Sequence, residues 1–198
     1  RLQNSIKNLA SGFLSRFLII ILGFVVRTVF IKTLGNNYLS VNGLYSNILN
    51  MLSLAELGFS TAMVYSMYRP LSEDDQAKLA SLLALYKKVY QIIGFVILGA
   101  GLCLIPFMDY IIKDPPNVQH LTFYYLLFLI NSALSYWFFA YKRSILTADQ
   151  KEYICTNYHN IFNIIKSVVQ IIVLLILNSF TVYLLVQLVC TVLENVSI

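Results

Sequence analysis

Long apolar segments constrain the fold of this chain more than any other feature. Several of them approach the roughly 20 residues that an α-helix needs to cross a hydrocarbon core about 30 Å thick. Only 12% of the 198 residues are charged, against about a quarter in a soluble domain. Because a water-soluble fold could not bury so much apolar surface, the sequence predicts an all-α protein that crosses a membrane several times.

Six membrane spans are predicted. They cover about residues 12–31, 39–66, 89–108, 121–141, 154–177 and 180–193. Turn signals at Leu34-Gly35-Asn36-Asn37 and Asp114-Pro115-Pro116-Asn117 separate neighbouring spans. The run Ser72-Glu73-Asp74-Asp75 predicts an N-cap at Ser72 and a helix that leads into the third span. We therefore expect residues 1–198 to form one transmembrane domain, a six-helix bundle.

Basic residues in the loops predict the orientation, because Lys and Arg are retained on the cytoplasmic side. One side carries Arg1, Lys7, Arg69, Lys78, Lys87, Lys88, Lys142, Arg143 and Lys151, and the other carries Lys32 and Lys113. This bias predicts a multi-pass protein of the cell membrane with a cytoplasmic N-terminus.

Four charged residues fall inside the predicted spans: Arg16, Arg27, Glu56 and Lys166. Each costs several kcal/mol in lipid unless it faces a partner or a watery cavity. Arg16 and Arg27 are eleven residues apart, which brings them within roughly 20° on one helix face. With one acid for three cations, an anionic substrate is expected to supply the missing charge. The alternative is that the cations extend to the lipid headgroups.

Polar side chains recur at helical spacing in three of the spans. These stripes are Asn42, Ser46, Asn50, Ser53, Glu56 and Ser60 in the second span, Cys155, His159, Asn163, Lys166 and Gln170 in the fifth, and a weaker set of Tyr124, Asn131, Ser135 and Lys142 in the fourth. Hydrogen bonding between membrane helices would also explain such stripes. The predicted substrate cavity is lined by Arg16, Arg27, Asn50, Glu56, His159, Asn163 and Lys166.

The sequence offers little support for catalysis. It contains no Ser/His/Asp set, carboxylate pair, metal-ligand cluster or glycine-rich phosphate loop. The three cysteines show no zinc spacing, and no basic run interleaved with aromatics is present to bind nucleic acid. We therefore expect neither an enzyme nor a cofactor, metal or nucleic-acid partner.

Long segments resemble a known transporter family. The stretch from Arg27 to Asp75, RTVFIKTLGNNYLSVNGLYSNILNMLSLAELGFSTAMVYSMYRPLSEDD, resembles the polysaccharide transporter (oligosaccharide flippase) family of Gram-positive bacteria. That family belongs to the multidrug/oligosaccharidyl-lipid/polysaccharide exporter superfamily. Further matches are LYKKVYQIIG, YLLFLINSALSYWFFAYKRSILTADQKEY and QIIVLLILNSFTVYLLVQ, and together they cover most of the chain.

The resemblance implies the N-terminal lobe of an exporter with twelve or more helices, paired with a C-terminal lobe that this chain lacks. Such exporters flip undecaprenyl-diphosphate-linked repeat units by alternating access for capsule or exopolysaccharide synthesis. The implied partners are the lipid-linked oligosaccharide, membrane lipids and the missing lobe. Arg16 and Glu56 match an arginine and an acid of related flippases, although Leu57 departs from their Ala-Glu-Gly pattern. Since the sequence also begins without Met, we expect it to be a fragment.

Two other functions remain open. A cation-coupled multidrug exporter of the same superfamily would have a similar fold, with a cavity richer in acids than in cations. A non-transporting membrane assembly protein would instead bring the stripes of Glu56 and Lys166 together in a dry interface.

Overall fold

The computed structural model describes residues 2–53, 59–111, 118–137 and 140–197, and this part of the chain is helical without strands. Its elements are α1 (Leu2–Leu34), α2 (Asn36–Ser53), α3 (Phe59–Ser72), α4 (Gln76–Leu104), a 3-10 turn (Ile105–Phe107), α5 (Met108–Ile111), α6 (Leu121–Trp137), α7 (Ala140–Ala148), α8 (Glu152–Leu177) and α9 (Phe180–Ser197). The predicted all-α class is confirmed.

Four segments of the described helices are long and apolar enough to cross a membrane. They are Arg16–Leu34, Gln76–Phe107, Glu152–Leu177 and Phe180–Ser197. A fifth arises if α6 and the Lys142–Ala148 part of α7, which meet at a bend of 53°, are taken as one broken span. Large apolar side chains on these helices point outward, with Phe24 74% and Ile176 71% exposed. A bilayer is the solvent in which such surfaces are stable, so the chain is a membrane protein.

The second predicted span, residues 39–66, is described only in two parts, α2 and α3. Residues 54–58 between them lie outside the described part, so this span stays a prediction. Neither helix is among the segments that are long and apolar enough to span. Helix α2 is too polar, with Asn or Ser at positions 36, 37, 40, 42, 46, 47, 50 and 53, and the described part of α3 is too short, with 14 residues.

The predicted N-cap at Ser72 is wrong. Ser72 belongs to the last turn of α3, where its hydroxyl donates to the Arg69 carbonyl at 2.8 Å. The cap is Asp75, whose carboxylate accepts from the backbone N–H of Lys78 at 3.0 Å. The chain reverses between the two helices through Asp74, which has a φ of 51°, so the capping role moves three residues onward. Aspartate satisfies an orphan N–H at this position as well as serine does.

The predicted break after the first span is confirmed. α1 ends at Leu34, Gly35 has a φ of +85°, and α2 begins at Asn36. Only a residue without Cβ adopts that conformation freely. The predicted turn at Asp114–Asn117 lies outside the described residues.

Helix α8 is central to the packing. It contacts α1 on one side and α9 on the other, while α6 packs against both α4 and α9, and α3 packs against α7 and α4. A cluster of edge-to-face aromatic rings joins α1, α6 and α9 through Phe30, Tyr124 and Phe180. Such pairs contribute about 0.5–1.5 kcal/mol beyond their buried area. They fix the positions of the helices that surround the site.

Two glycines of α4 allow α6 to approach closely. A Cβ at Gly101 would overlap the side chain of Leu129, and one at Gly94 would overlap the indole of Trp137. Tyr125 strengthens this contact because its buried hydroxyl donates to the Gly101 carbonyl at 2.9 Å. The α4–α6 pair is thus held by direct backbone approach.

Candidate functional site

A polar cavity of about 730 Å³ lies among the helices of the described region. Its wall is formed by Ser60, Thr61 and Val64 of α3, Tyr90 of α4, Asn131, Ser135 and Tyr136 of α6, Arg143, Ser144 and Thr147 of α7, Glu152, His159 and Lys166 of α8, and Thr191, Glu194 and Asn195 of α9. Most of these side chains carry a hydrogen-bonding group. The volume of this cavity is within the range of small-molecule binding sites, roughly 300–1,000 Å³.

A chain of hydrogen bonds runs from α9 along α8 at the edge of this cavity. Glu194 Oε1 lies 2.7 Å from His159 Nδ1, and His159 Nε2 lies 2.8 Å from the amide nitrogen of Asn163. The amide oxygen of Asn163 in turn accepts from the Lys166 ammonium at 2.8 Å. These contacts confirm that the three α8 residues share one face, as their spacing predicts.

The hydrogen-bond partners determine which atoms carry the protons in this series of hydrogen bonds. An ammonium can only donate, so the Asn163 amide must turn its oxygen to Lys166 and its N–H to His159. His159 Nε2 must then accept, and Nδ1 must carry the proton that is donated to Glu194. The imidazole of His159 therefore links the Glu194 carboxylate to the amide that holds the Lys166 side chain.

The cavity charges differ from the sequence expectation. We expected one membrane acid, Glu56, for three cations, but Glu194 lies in the apolar segment Phe180–Ser197 and lines the cavity with Glu152. The same wall carries two cations, Arg143 and Lys166. The count was wrong because position 194 falls just past the predicted end of the sixth span.

A second cavity, of about 480 Å³, lies where α1 faces α8. Arg16 lines it with Ile19 and Ile20 of α1, together with Thr156, Asn160 and Asn163 of α8. Arg143, Glu152 and His159 line both cavities, so the two adjoin. Taken together their walls carry three cations and two acids.

Within the described part of the chain, one buried polar atom of the cavity wall has no hydrogen-bond partner. The amide oxygen of Asn131 on α6 is buried and accepts no hydrogen bond from the described residues. A buried acceptor without a donor costs about 1–3 kcal/mol. A ligand hydroxyl or N–H entering the cavity would satisfy it.

The structure brings together four of the predicted site residues, Arg16, His159, Asn163 and Lys166, around the two cavities. Arg27 and Asn50 are exposed on α1 and α2 and do not line either cavity. Glu56 lies outside the described residues. We predicted a common cavity between the first, second and fifth spans. In the structure, the larger cavity is lined by helices α3, α4 and α6–α9, and α1 lines only the second cavity.

Most residues of the larger cavity wall were not among the predicted site residues, and those with charged or unpartnered groups are Asn131, Arg143, Glu152 and Glu194. Asn131 belonged to the weaker stripe of the fourth span, which was a usable signal. Arg143 was assigned to a cytoplasmic loop, whereas it lies on the short helix α7. On the described residues, no cluster of three or more His, Cys, Asp or Glu side chains is arranged to hold a metal ion.

No protein-family model, curated protein or solved structure matches the chain. The resemblance to polysaccharide transporters therefore stays a prediction.

Proposed function

We propose that this chain is the N-terminal six-helix lobe of an exporter that flips undecaprenyl-diphosphate-linked oligosaccharides across the cell membrane by alternating access. The observation that carries the proposal is Lys166. Its ammonium lies in an apolar membrane segment, yet Asn163 directs it to the wall of a 730 Å³ polar cavity. A charge kept at membrane depth in this way marks a substrate path more often than a structural contact.

The diphosphate is the group that the cations would bind. Arg143 borders both cavities, with Lys166 in the larger and Arg16 in the smaller. Hydrogen bonds between cations and phosphate oxygens are about twice as strong as neutral ones, and a guanidinium binds two oxygens at once. Glu194 is hydrogen-bonded to His159 and Lys166 to Asn163, so the two charged groups are not paired directly with each other.

The sugar would occupy the neutral polar wall. Asn131 offers an unpartnered amide oxygen, and Ser60, Thr61 and Ser135 add hydroxyl groups nearby on α3 and α6. Sugar hydroxyls both donate and accept, so they suit a wall of mixed amide and hydroxyl groups. In this proposal a C-terminal lobe closes the other side of the cavity, and the basic loop ends face the cytoplasm.

A cation-coupled multidrug exporter is the second candidate, and Glu152 and Glu194 favour it because acids in the wall would attract an organic cation. The two candidates differ in the charge of the ligand. Lys166→Met should weaken binding of an anionic ligand and should leave binding of a cationic dye unchanged or stronger.

The test measures binding of a radiolabelled undecaprenyl-diphosphate-linked oligosaccharide to the detergent-solubilised protein. Lys166→Met keeps the apolar stem but removes the charge, and loss of a charged hydrogen bond worth about 1.5–3 kcal/mol should lower affinity roughly 10- to 100-fold. Lys78→Met is the matched control, since Lys78 is exposed on α4 outside the cavity.

In cells, appearance of the labelled precursor in the outer leaflet should fall with Lys166→Met and stay normal with Lys78→Met. Equal binding by the wild type and Lys166→Met would remove the basis of the proposal. Tight binding of a cationic dye that depends on Glu194 would favour the multidrug exporter.

A further inference from the structure

A shallow groove of about 540 Å³ lies between α4 and α7, apart from the two polar cavities. Two lysines line it, Lys87 on α4 and Lys142 on α7. The rest of its wall is aliphatic, with Ala80, Leu83 and Ala84 on one side and Ile145 and Leu146 on the other. No acid is part of this wall among the described residues, so the groove combines positive charge with an apolar floor.

This combination selects an amphipathic anion. A free phosphate would use the lysines but gain nothing from the aliphatic wall, and a neutral acyl chain would leave the charges unused. Basic pockets between membrane helices are suited to anionic lipid headgroups, with the acyl chain lying against apolar side chains.

The position of the groove along α4 leads us to expect it near the level of the lipid headgroups. Lys87 and Lys88 immediately precede the apolar half of α4, which starts at Val89. Helix α7 turns away from α6 by 53°, so it leaves the direction of the spanning helix at the same end of the bundle. Charged residues directly beside an apolar span mark the level of the membrane interface.

Helix α7 has two different faces. Lys142, Ile145 and Leu146 face the groove, whereas Arg143, Ser144 and Thr147 face the polar cavity. Its two sides are therefore divided as the 3.6-residue period requires. A ligand in the groove would therefore contact α7, the helix that also forms one wall of the polar cavity.

We propose that the groove between α4 and α7 binds an anionic phospholipid of the surrounding bilayer, whose phosphate is held by Lys87 and Lys142 and whose acyl chain lies along Leu83, Ile145 and Leu146. The bound lipid fixes the position of α7 and, with it, the Arg143 side of the cavity. Lipid binding requires no transported substrate, so this inference does not depend on the proposed transport function.

The chain contains its own reporter. Trp137 is the single tryptophan, and its indole N–H donates to the Gln91 carbonyl at 3.3 Å. Gln91 lies four residues after Lys87, about one helical turn away. An acyl-brominated lipid in the groove should therefore quench Trp137 fluorescence.

The experiment reconstitutes the protein in phosphatidylcholine vesicles that contain a small fraction of brominated phosphatidylglycerol or brominated phosphatidylcholine. With about a fivefold gain from each lysine near the surface, the relative association constant should favour phosphatidylglycerol by roughly 30-fold. The Lys87→Gln, Lys142→Gln double variant should lose this preference, and the double Lys→Arg variant should keep it.

The matched control is the Lys32→Gln, Lys78→Gln double variant, which removes the same net charge from exposed positions outside the groove. It should behave as the wild type does. A preference that survives in the Lys87→Gln, Lys142→Gln variant, or that the control loses equally, would overturn the proposal.

Discussion

Replacing Asn163 by Leu tests the hydrogen-bond chain that places Lys166 at the cavity. The change removes the acceptor of the Lys166 ammonium and the donor to His159 Nε2, both at 2.8 Å. A hydrogen bond to a charged group contributes about 1.5–3 kcal/mol and a neutral one about 0.5–1.5 kcal/mol. Polar contacts between membrane side chains average only about 0.6 kcal/mol, and Lys166 can reach water in the cavity. We therefore expect a loss of about 2 kcal/mol.

For a chain of this length, such a loss lowers the melting temperature by roughly 4–8 °C. Thermal unfolding in detergent micelles can be followed by the fluorescence of Trp137. The control is Asn160→Leu, one turn earlier on α8, because it makes the same change of residue type. Asn160 takes part in no side-chain hydrogen bond with the described residues. If Asn163→Leu and Asn160→Leu shift the melting temperature equally, the chain of hydrogen bonds does not stabilise α8 as argued.

Three further predictions concern the fold, the imidazole and the topology. Gly94→Ala should destabilise the protein by about 1–3 kcal/mol because its Cβ overlaps the indole of α6, whereas Gly99→Ala, with nothing within 4 Å of its Cβ, should be neutral or stabilising in thermal unfolding. Nitrogen-15 NMR of the histidine ring should show a proton on His159 Nδ1 that is hydrogen-bonded to Glu194; an Nδ1 without a proton would contradict the assignment. A cysteine at Ser72 should be labelled only from the cytoplasmic side and one at Asn36 only from outside, and reversed labelling would refute the orientation drawn from the basic loops.

Periodicity was enough to predict one polar face. His159, Asn163 and Lys166 are spaced by four and three residues, and a helix brings such positions onto one side whatever surrounds it. The same rule predicts one stripe for Arg16 and Arg27 on α1, but it could not say what that stripe would face. Arg16 lines the second cavity, beside α8, whereas Arg27 is exposed further along α1.

The partners of that polar face could not be predicted. Glu194 is 35 residues from His159 in sequence, and the pair exists only because α8 and α9 pack antiparallel after the left-handed turn at Asn178, whose φ is 46°. Arg143 seemed to be a loop charge because the sequence gives no sign of the bend between α6 and α7. Helix packing, and not local pattern, decides which residues meet.

The sequence by itself determined that the protein lies in a bilayer and that its secondary structure is helical. Low charge content and apolar segments of about 20 residues require a bilayer, and in a bilayer the backbone satisfies its hydrogen bonds within helices. The break at Gly35 was also predictable, because its left-handed backbone follows from the missing Cβ. Only the tertiary structure decided that Lys166 faces a cavity shared with Glu194 and Asn131. Those contacts join residues far apart in the chain, and the crossing of the helices that creates them depends on close packing summed over many side chains.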